Sequence, residues 1–209
     1  MKAVVVIGDI VRSSAIPDRD LFQQRFQSVV ESLNDRWGGY LSPYTVTLGD
    51  EYQAVYSDAA PVMDHTFALI AGLRPHQLRV CIAVGAITTK LNHERAIGMD
   101  GPAFHMARLG IDELRESGET MCVRSAGHDV GLEDGAVRLI GRLTRDWHPT
   151  RWRVLRELSL ARRPSEIASE LSISPTAVYK NIRDGGLELI RACGREVGLS
   201  LTAKAGGGG

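Results

Sequence analysis

The stretch VTLGDEYQAVY, residues 46–56, predicts a β-hairpin that carries two carboxylates at its bend. Apolar and polar residues alternate on both sides of Gly49-Asp50-Glu51, which is the pattern of half-buried strands. Hairpin turns usually contain Asn-Gly or Asp-Gly, whereas here the order is reversed and a second acid follows. We therefore predict strands over roughly 43–48 and 51–57, and we ask whether Asp50 and Glu51 bind a ligand.

The sequence around this hairpin predicts an α+β fold. KAVVVI (2–7) is a β-branched run that suits a strand buried on both faces. The remaining elements are predicted as helices at 19–37, 58–73 and 101–118 and strands at 77–89 and 119–126. The order is β-α-β-β-α-β followed by α-β, the split βαβ arrangement of ferredoxin-like and palm-type domains. We expect helices to cover one face of a mainly antiparallel sheet.

The composition excludes several classes of protein. Of 209 residues, 44% are hydrophobic and 24% charged, as in ordinary globular proteins. No apolar run approaches the roughly 20 residues of a membrane span. The three cysteines are too few and too far apart for a disulfide framework, so we expect a cytoplasmic protein without a membrane partner. P-loop and Rossmann fingerprints are absent from the sequence.

The two parts of the chain differ in charge. Residues 1–140 carry 13 basic and 18 acidic side chains, while residues 141–209 carry 12 basic and 7 acidic ones. The segment AGHDVGLEDGA (126–136) is rich in Gly and Asp and is typical of a domain boundary. We predict an α+β domain at 1–130, a small all-helical domain at 136–200 and a flexible tail at 203–209. The basic C-terminal part favours a polyanionic partner.

The basic part contains a pattern typical of two crossed helices. In RRPSEIASELSISPTAVYKNIRDGG (162–186), Ser172-Ile173 predicts a tight turn, and Ser174 with Pro175 predicts a helix start. This resembles the helix-turn-helix of LuxR-type regulators and of sigma-70 region four. The resemblance implies DNA binding by a homodimer, although a three-helix packing module is the alternative reading. The DNA-contacting residues it implies are Thr176, Ala177, Tyr179, Lys180 and Arg183 at bases, and Arg162 and Arg163 at phosphates.

Acidic residues converge at the other end of the predicted architecture. Asp9 ends the first strand, which neighbours the hairpin in a split βαβ sheet, so Asp9, Asp50 and Glu51 are expected at one edge. Carboxylates so placed can share Mg²⁺ or Mn²⁺. The following IVRSS segment offers Arg12, Ser13 and Ser14 for a phosphate or another anionic ligand.

This constellation resembles class III nucleotidyl cyclases. The matching pieces, in order, are GDIVRSS, TLGDEYQAVY, LRVCIAVGAI and GPAFHMARL. The resemblance implies that Asp9 and Asp50 bind metal, that a nucleotide is the ligand, and that Arg108 stabilises the transition state. Phe104 stands where the family has an asparagine, and Val46 where it has a base-reading lysine, so we do not expect cyclase activity.

The whole pattern is most similar to the SatD family. The motifs GDIVRSS, LGDEYQA and DGPAFHMAR precede a C-terminal helix-turn-helix. This resemblance covers nearly the entire chain. Our first hypothesis is a DNA-binding regulator whose cyclase-like domain senses a ligand or dimerises. The alternatives are a divergent metal-dependent nucleotidyltransferase or phosphohydrolase, and a non-catalytic interaction scaffold. Asp100 and His105 lie near Arg108 in the sequence. We interpret Asp100 as a helix cap and His105 as a surface histidine.

Overall fold

The computed structural model describes residues 1–47 and 49–206, which form one mixed sheet and eight α-helices. The strands are β1 (Lys2–Ile10), β2 (Ser42–Val46), β3 (Glu51–Tyr56), β4 (Leu78–Ala86) and β5 (Met121–Ser125). The helices are α1 (Arg19–Arg36), α2 (Val62–Leu73), α3 (Pro102–Ser117), α4 (Gly131–Thr144), α5 (Pro149–Ser159), α6 (Pro164–Leu171), α7 (Pro175–Gly185) and α8 (Leu187–Gly206). The predicted hairpin and the predicted helix and strand order are confirmed, while Leu48 lies outside the described residues.

The sheet has the strand order β2-β3-β1-β4-β5. Neighbouring strands are antiparallel except β4 and β5, which run parallel and are joined through α3. The hairpin strand β3 therefore lies directly beside β1, with Asp9 opposite Glu51. This register places the acidic bend of the hairpin at the end of β1.

Helices cover both faces of the sheet, which corrects the expectation of a single covered face. Val4 and Val6 of β1 belong to a large core with α1 and α2. Val5 and Ile7 point to the opposite side, where they pack with Phe104 and other apolar residues of α3. The reason lies in β1 itself, because an uninterrupted apolar strand needs a partner on each side.

The helices after β5 pack onto the same core as α1 and α2. Trp152 of α5 is buried against Phe67 of α2, with 6.1 Å between ring centroids. Leu187, Val197 and Leu201 of α8 belong to this hydrophobic cluster too. One continuous core thus contains residues from both predicted domains, and the division at 126–136 stays a prediction.

Two boundaries differ from the sequence-based expectation. Helix α4 begins at Gly131, inside the predicted boundary segment. Helix α8 continues to Gly206, so residues 203–206 are helical and not part of a flexible tail. Burial of Ala205 and an ion pair between Lys204 and Glu133 of α4 hold this last turn in place. Residues 207–209 lie outside the described residues. Within the described chain, no helix combines the length and apolarity needed to cross a membrane.

Candidate functional site

The structure brings the three predicted acidic ligands to one edge of the sheet. Asp9 and Glu51 are register partners on β1 and β3, and Asp50 lies in the bend just before β3. The backbone N–H of Ile10 donates to the carbonyl oxygen of Asp50 at 3.0 Å, which ties the bend to the end of β1. The proximity expected from the split βαβ order is therefore present.

Asp9 is 5% exposed and is held by two arginines. Arg79 at the start of β4 donates Nη1–H to Oδ1 at 3.2 Å. Arg115 near the end of α3 donates Nε–H and Nη2–H to Oδ2 at 3.0 and 2.7 Å. The pKa of Arg115 is raised above its ordinary value, mainly because the hydrogen bonds to Asp9 favour the charged guanidinium.

The other two acids also have protein partners. Arg108 of α3 forms a two-pronged ion pair with Glu51, with nitrogen–oxygen distances of 3.1 and 3.3 Å. Thr47 Oγ1 donates to the same carboxylate at 3.1 Å. Asp50 accepts a short hydrogen bond from Ser13 Oγ. Arg108, predicted to stabilise a transition state, is thus placed at the acidic edge as a partner of Glu51.

The carboxylates predicted to bind a divalent cation have protein partners in the structure. Two of the three carboxylates already neutralise guanidinium groups, which compete with a cation for their oxygens. Across residues 1–47 and 49–206, no group of three or more His, Cys, Asp or Glu side chains is suited to hold a metal ion. Binding of Mg²⁺ or Mn²⁺ at Asp9, Asp50 and Glu51 stays a prediction, and it would require the arginines to move.

An arginine-rich cleft adjoins the acidic edge. It has a volume of about 780 Å³ and contains Arg12, Ala15 and other residues of the segment after β1. Arg12 adopts a left-handed backbone conformation with φ of 55°, which turns the chain into a short 3-10 segment at Ser13–Ala15. Further basic residues that line the cleft are His76, Arg79, Arg115 and Arg145.

The sequence predicted Arg12 at this place but missed Arg79, Arg115 and Arg145. Arg79 and Arg115 are 70 and 106 residues from Asp9 along the chain, so no local spacing relates them to it. The sequence carried only weak signals for them: Arg79 is a basic residue at the start of a strand, and Arg115 is a basic residue in the last turn of a helix. Glu119 is the acid among the residues that line the cleft, and it is paired with Arg138. Arg79 and Arg115 share the charge of Asp9, so Arg12 and Arg145 supply the remaining positive charge of the cleft.

Asp100, in the loop before α3, lies beside His105 in the first turn of that helix. His105 Nε2 and Asp100 Oδ1 are 2.8 Å apart, and both side chains are exposed. Asp100 also accepts from the backbone N–H of Gly101, which is the N-cap residue of α3. Asp100 and His105 thus pair with each other at the start of this helix, whereas Arg108 one turn later reaches the acidic edge.

Helices α6 and α7 have the predicted turn and cap. Ser172 ends α6 in a left-handed conformation with φ of 53°. Ser174 Oγ then accepts from the backbone N–H of Ala177 at 3.1 Å, with Pro175 at the first helical position. Val178 is fully buried, which fixes the orientation of α7 against the core.

The predicted DNA-contacting residues of α7 face away from the core. Thr176, Tyr179, Lys180 and Arg183 are exposed, and Ala177 is partly so. Arg162 and Arg163 lie just before α6 and form ion pairs within the chain, as Arg183 of α7 does with Asp184. Arg162 binds Glu157 and Glu170, and Arg163 binds Glu166 as part of the cap of α6.

Comparisons with known proteins give two kinds of match. Two solved structures, both described as a bacterial light-regulated adenylyl cyclase, superpose with TM-scores of 0.46 and 0.45 at 14% sequence identity. Each match covers 59% of this chain and 43% of the cyclase chain, which is less than half of its length. The comparison with curated proteins gives no match. The model of the SatD family matches residues 3–134, and the chain belongs to the SatD family.

Proposed function

We propose that this protein is a cytoplasmic DNA-binding regulator that acts as a homodimer. In this proposal a palm-type, cyclase-like domain senses a phosphate-bearing ligand, and the α6–α7 pair is a helix-turn-helix that binds DNA. The strand order β2-β3-β1-β4 with antiparallel neighbours is the order of a split βαβ unit, which supports the palm-type assignment. Helix α3 and β5 extend that unit.

The observation that carries the proposal is the outward side of α7. Its buried side is anchored by Val178, so the exposed Thr176, Tyr179, Lys180 and Arg183 form one continuous surface. A hydroxyl, a phenol and two cations are side chains that contact base edges and phosphates in a major groove. The excess of basic over acidic residues after position 140 adds non-specific attraction to DNA.

Arg162 and Arg163 play a secondary part in this proposal. Arg163 is exposed and shares its charge only with Glu166, so a DNA phosphate can replace that carboxylate at little cost. Arg162 is bound both to Glu170 and to the fully buried Glu157, which Arg156 also neutralises, so a DNA phosphate would have to displace two carboxylates from Arg162. We therefore expect Arg163 to contact phosphate more readily than Arg162.

The test is equilibrium DNA binding, with a site first selected from random duplexes. Lys180→Ala and Arg183→Ala should each weaken binding by about tenfold, and Lys180→Ala should lower the salt dependence by about one counterion. Lys90→Ala, which removes an exposed lysine from the loop after β4, is the matched control and should leave affinity unchanged. If all variants bound DNA with equal affinity, α7 would not be the helix that contacts DNA.

The ligand-sensing part of the proposal rests on the arginine cleft. Arg12 and Arg145 line a space large enough for a nucleotide, beside Arg79 and Arg115, which are paired with Asp9. Guanidinium groups pair with phosphate in two-pronged geometry. If a divalent cation accompanies the ligand, Asp50 is the acid that would receive it first, because its partner is a hydroxyl and not an arginine. Mg²⁺ or Mn²⁺ would then neutralise phosphate charge.

Calorimetry with a panel of nucleotides tests this part, with and without Mg²⁺ or Mn²⁺. Arg145→Gln should weaken binding in both conditions, whereas Asp50→Ala should matter only with the cation. Arg95→Gln, in the exposed loop before α3, is the control. Absence of heat with every nucleotide would remove the ligand-sensing proposal. Release of pyrophosphate or phosphate during the titration would instead favour the metal-dependent transferase or hydrolase.

A further inference from the structure

Helix α4 has an apolar face that no other part of the described chain covers. Its buried side, with Val137 and Ile140, packs into the core beyond β5. On its other side Leu132, Leu139 and Leu143 are 85%, 59% and 58% exposed. Single exposed leucines are common on protein surfaces, but three on one side of a 14-residue helix form a patch of the kind that marks an interface.

The spacing of this leucine face suits close packing against another helix. Leu132 and Leu139 are one heptad apart, and Leu143 follows after one further turn. Between them lie Gly135, where an added Cβ would meet nothing within 4 Å, and the partly buried Ala136. These small residues leave a depression between large ones, so that a leucine from a second helix can fill it.

We propose that the leucine face of α4, formed by Leu132, Gly135, Ala136, Leu139 and Leu143, is the contact between two copies of this chain. The two α4 helices pack antiparallel about a twofold axis. Each Leu139 lies over Ala136 of the other copy, and each Leu132 lies opposite Leu143 of the other copy. A twofold contact uses the same patch on both partners, which is why a self-complementary face is required.

The charges at the two ends of α4 specify the antiparallel direction. Asp129 is exposed just before the helix, and Arg142 is exposed in its last turn. Antiparallel packing brings Asp129 of each copy toward the end of α4 of the other, where Arg142 and Arg145 outnumber Asp146, and it opposes the two helix dipoles. Parallel packing would instead bring like charges together. A second copy of this chain therefore fits the face in shape and in charge.

The size of the face sets the expected strength. A 14-residue helix is roughly 21 Å long, and one side of it buries less than the roughly 800 Å² per partner of a standard interface. We therefore expect a reversible dimer with a dissociation constant in the micromolar range. This inference does not depend on DNA or nucleotide binding, and its test contains neither.

Sedimentation equilibrium over low micromolar to several hundred micromolar protein tests the proposal. The full chain should change from monomer to dimer, and Leu139→Gln should raise the dissociation constant by about tenfold or more. Leu21→Gln is the matched control, because Leu21 of α1 is 62% exposed and lies on a different helix. Far-UV circular dichroism confirms that each variant is folded. A chain that stays monomeric throughout, or Leu139→Gln without effect, would overturn the proposal.

Charge reversal tests the direction of packing. Arg142→Asp should weaken the dimer, and adding Asp129→Arg to it should restore affinity, since each pair would be reformed with opposite sign. A double variant weaker than either single variant would contradict antiparallel packing. Leu189→Gln examines a more exposed leucine at the start of α8. If that change dissociates the dimer while Leu139→Gln does not, the contact lies on α8 and the proposal is wrong.

Discussion

Asp9 shows how one residue can satisfy both a metal-ligand and a structural interpretation. From the sequence, an acid at the end of β1 beside an acidic hairpin suggests a metal ligand. In the structure the same carboxylate compensates Arg79, whose side chain is only 16% exposed, and Arg115. Proximity of Asp9 to Glu51 followed from strand order, but the two arginines did not, because tertiary packing alone brings them there.

The ion pairs of Asp9 make a prediction about stability. Asp9→Asn should lower the free energy of unfolding by about 2–3 kcal/mol, because it leaves the nearly buried Arg79 without a counter-charge. Asp112→Asn is the control, since Asp112 also pairs with Arg115 but is exposed, and its loss should cost less than about 0.5 kcal/mol. Urea unfolding without divalent cations measures both. If Asp9→Asn stabilised the protein, the acids would repel one another, as expected of an unfilled metal site.

His65 gives a second prediction, on pH. Burial lowers its pKa from the ordinary 6.5 to about 4, with a small opposing effect of Asp64, while Nδ1 shares a 2.6 Å hydrogen bond with the Tyr56 hydroxyl. The unfolded chain binds a proton more readily than the folded one. Stability should therefore be full above about pH 6.5 and fall by about 3 kcal/mol as the pH drops to 4. Unfolding curves at several pH values should show this slope, and His65→Gln should reduce it. If His65→Gln kept the same slope of stability against pH, the assignment of that slope to His65 would be wrong. His105→Gln, at an exposed site, is the control and should leave the slope unchanged.

Among the helices, local signals predicted α7 well and α4 poorly. Ser174 and Pro175 at the start of α7 determine that boundary through nearest-neighbour chemistry, so sequence alone was sufficient. The start of α4 carries Gly131 and Gly135, which lower helix propensity and predicted a loop. Burial of Val137 and Ile140 against the sheet edge outweighs that preference. Such tertiary compensation cannot be read from a single segment.

The cap of α7 gives a prediction for that helix. Ser174→Ala removes the acceptor for the Ala177 N–H and should lower the free energy of unfolding by about 1 kcal/mol. Ser169→Ala, at an exposed position within α6, should change it by less than about 0.5 kcal/mol. Chemical denaturation of both variants measures the difference. Equal stabilities would mean that packing of Val178, and not the cap, determines where α7 begins.

In the molecule as a whole, the sheet and the C-terminal helices share a core, although the sequence predicted two domains. Phe67 of α2 contacts Trp152 of α5, and Asp64 of α2 pairs with Arg191 of α8 at 3.1 Å. The sequence shows two charge compositions and a Gly/Asp-rich segment between them, which explains the prediction. It does not show that α2 has apolar residues on nearly all sides and so needs partners beyond the sheet.

A shared core predicts a single cooperative unfolding transition. Far-UV circular dichroism and tryptophan fluorescence should give the same urea midpoint, because neither part retains its core alone. Gly198→Val sharpens the test, since a side chain there would overlap the carbonyl oxygen of Ala59 and separate α8 from the start of α2. It should lower stability by about 3 kcal/mol and shift both midpoints together. Gly206→Val, where a Cβ meets nothing within 4 Å, is the control. Two separated transitions, with the sheet persisting after the helices unfold, would instead establish residues 1–130 and 136–200 as independent domains.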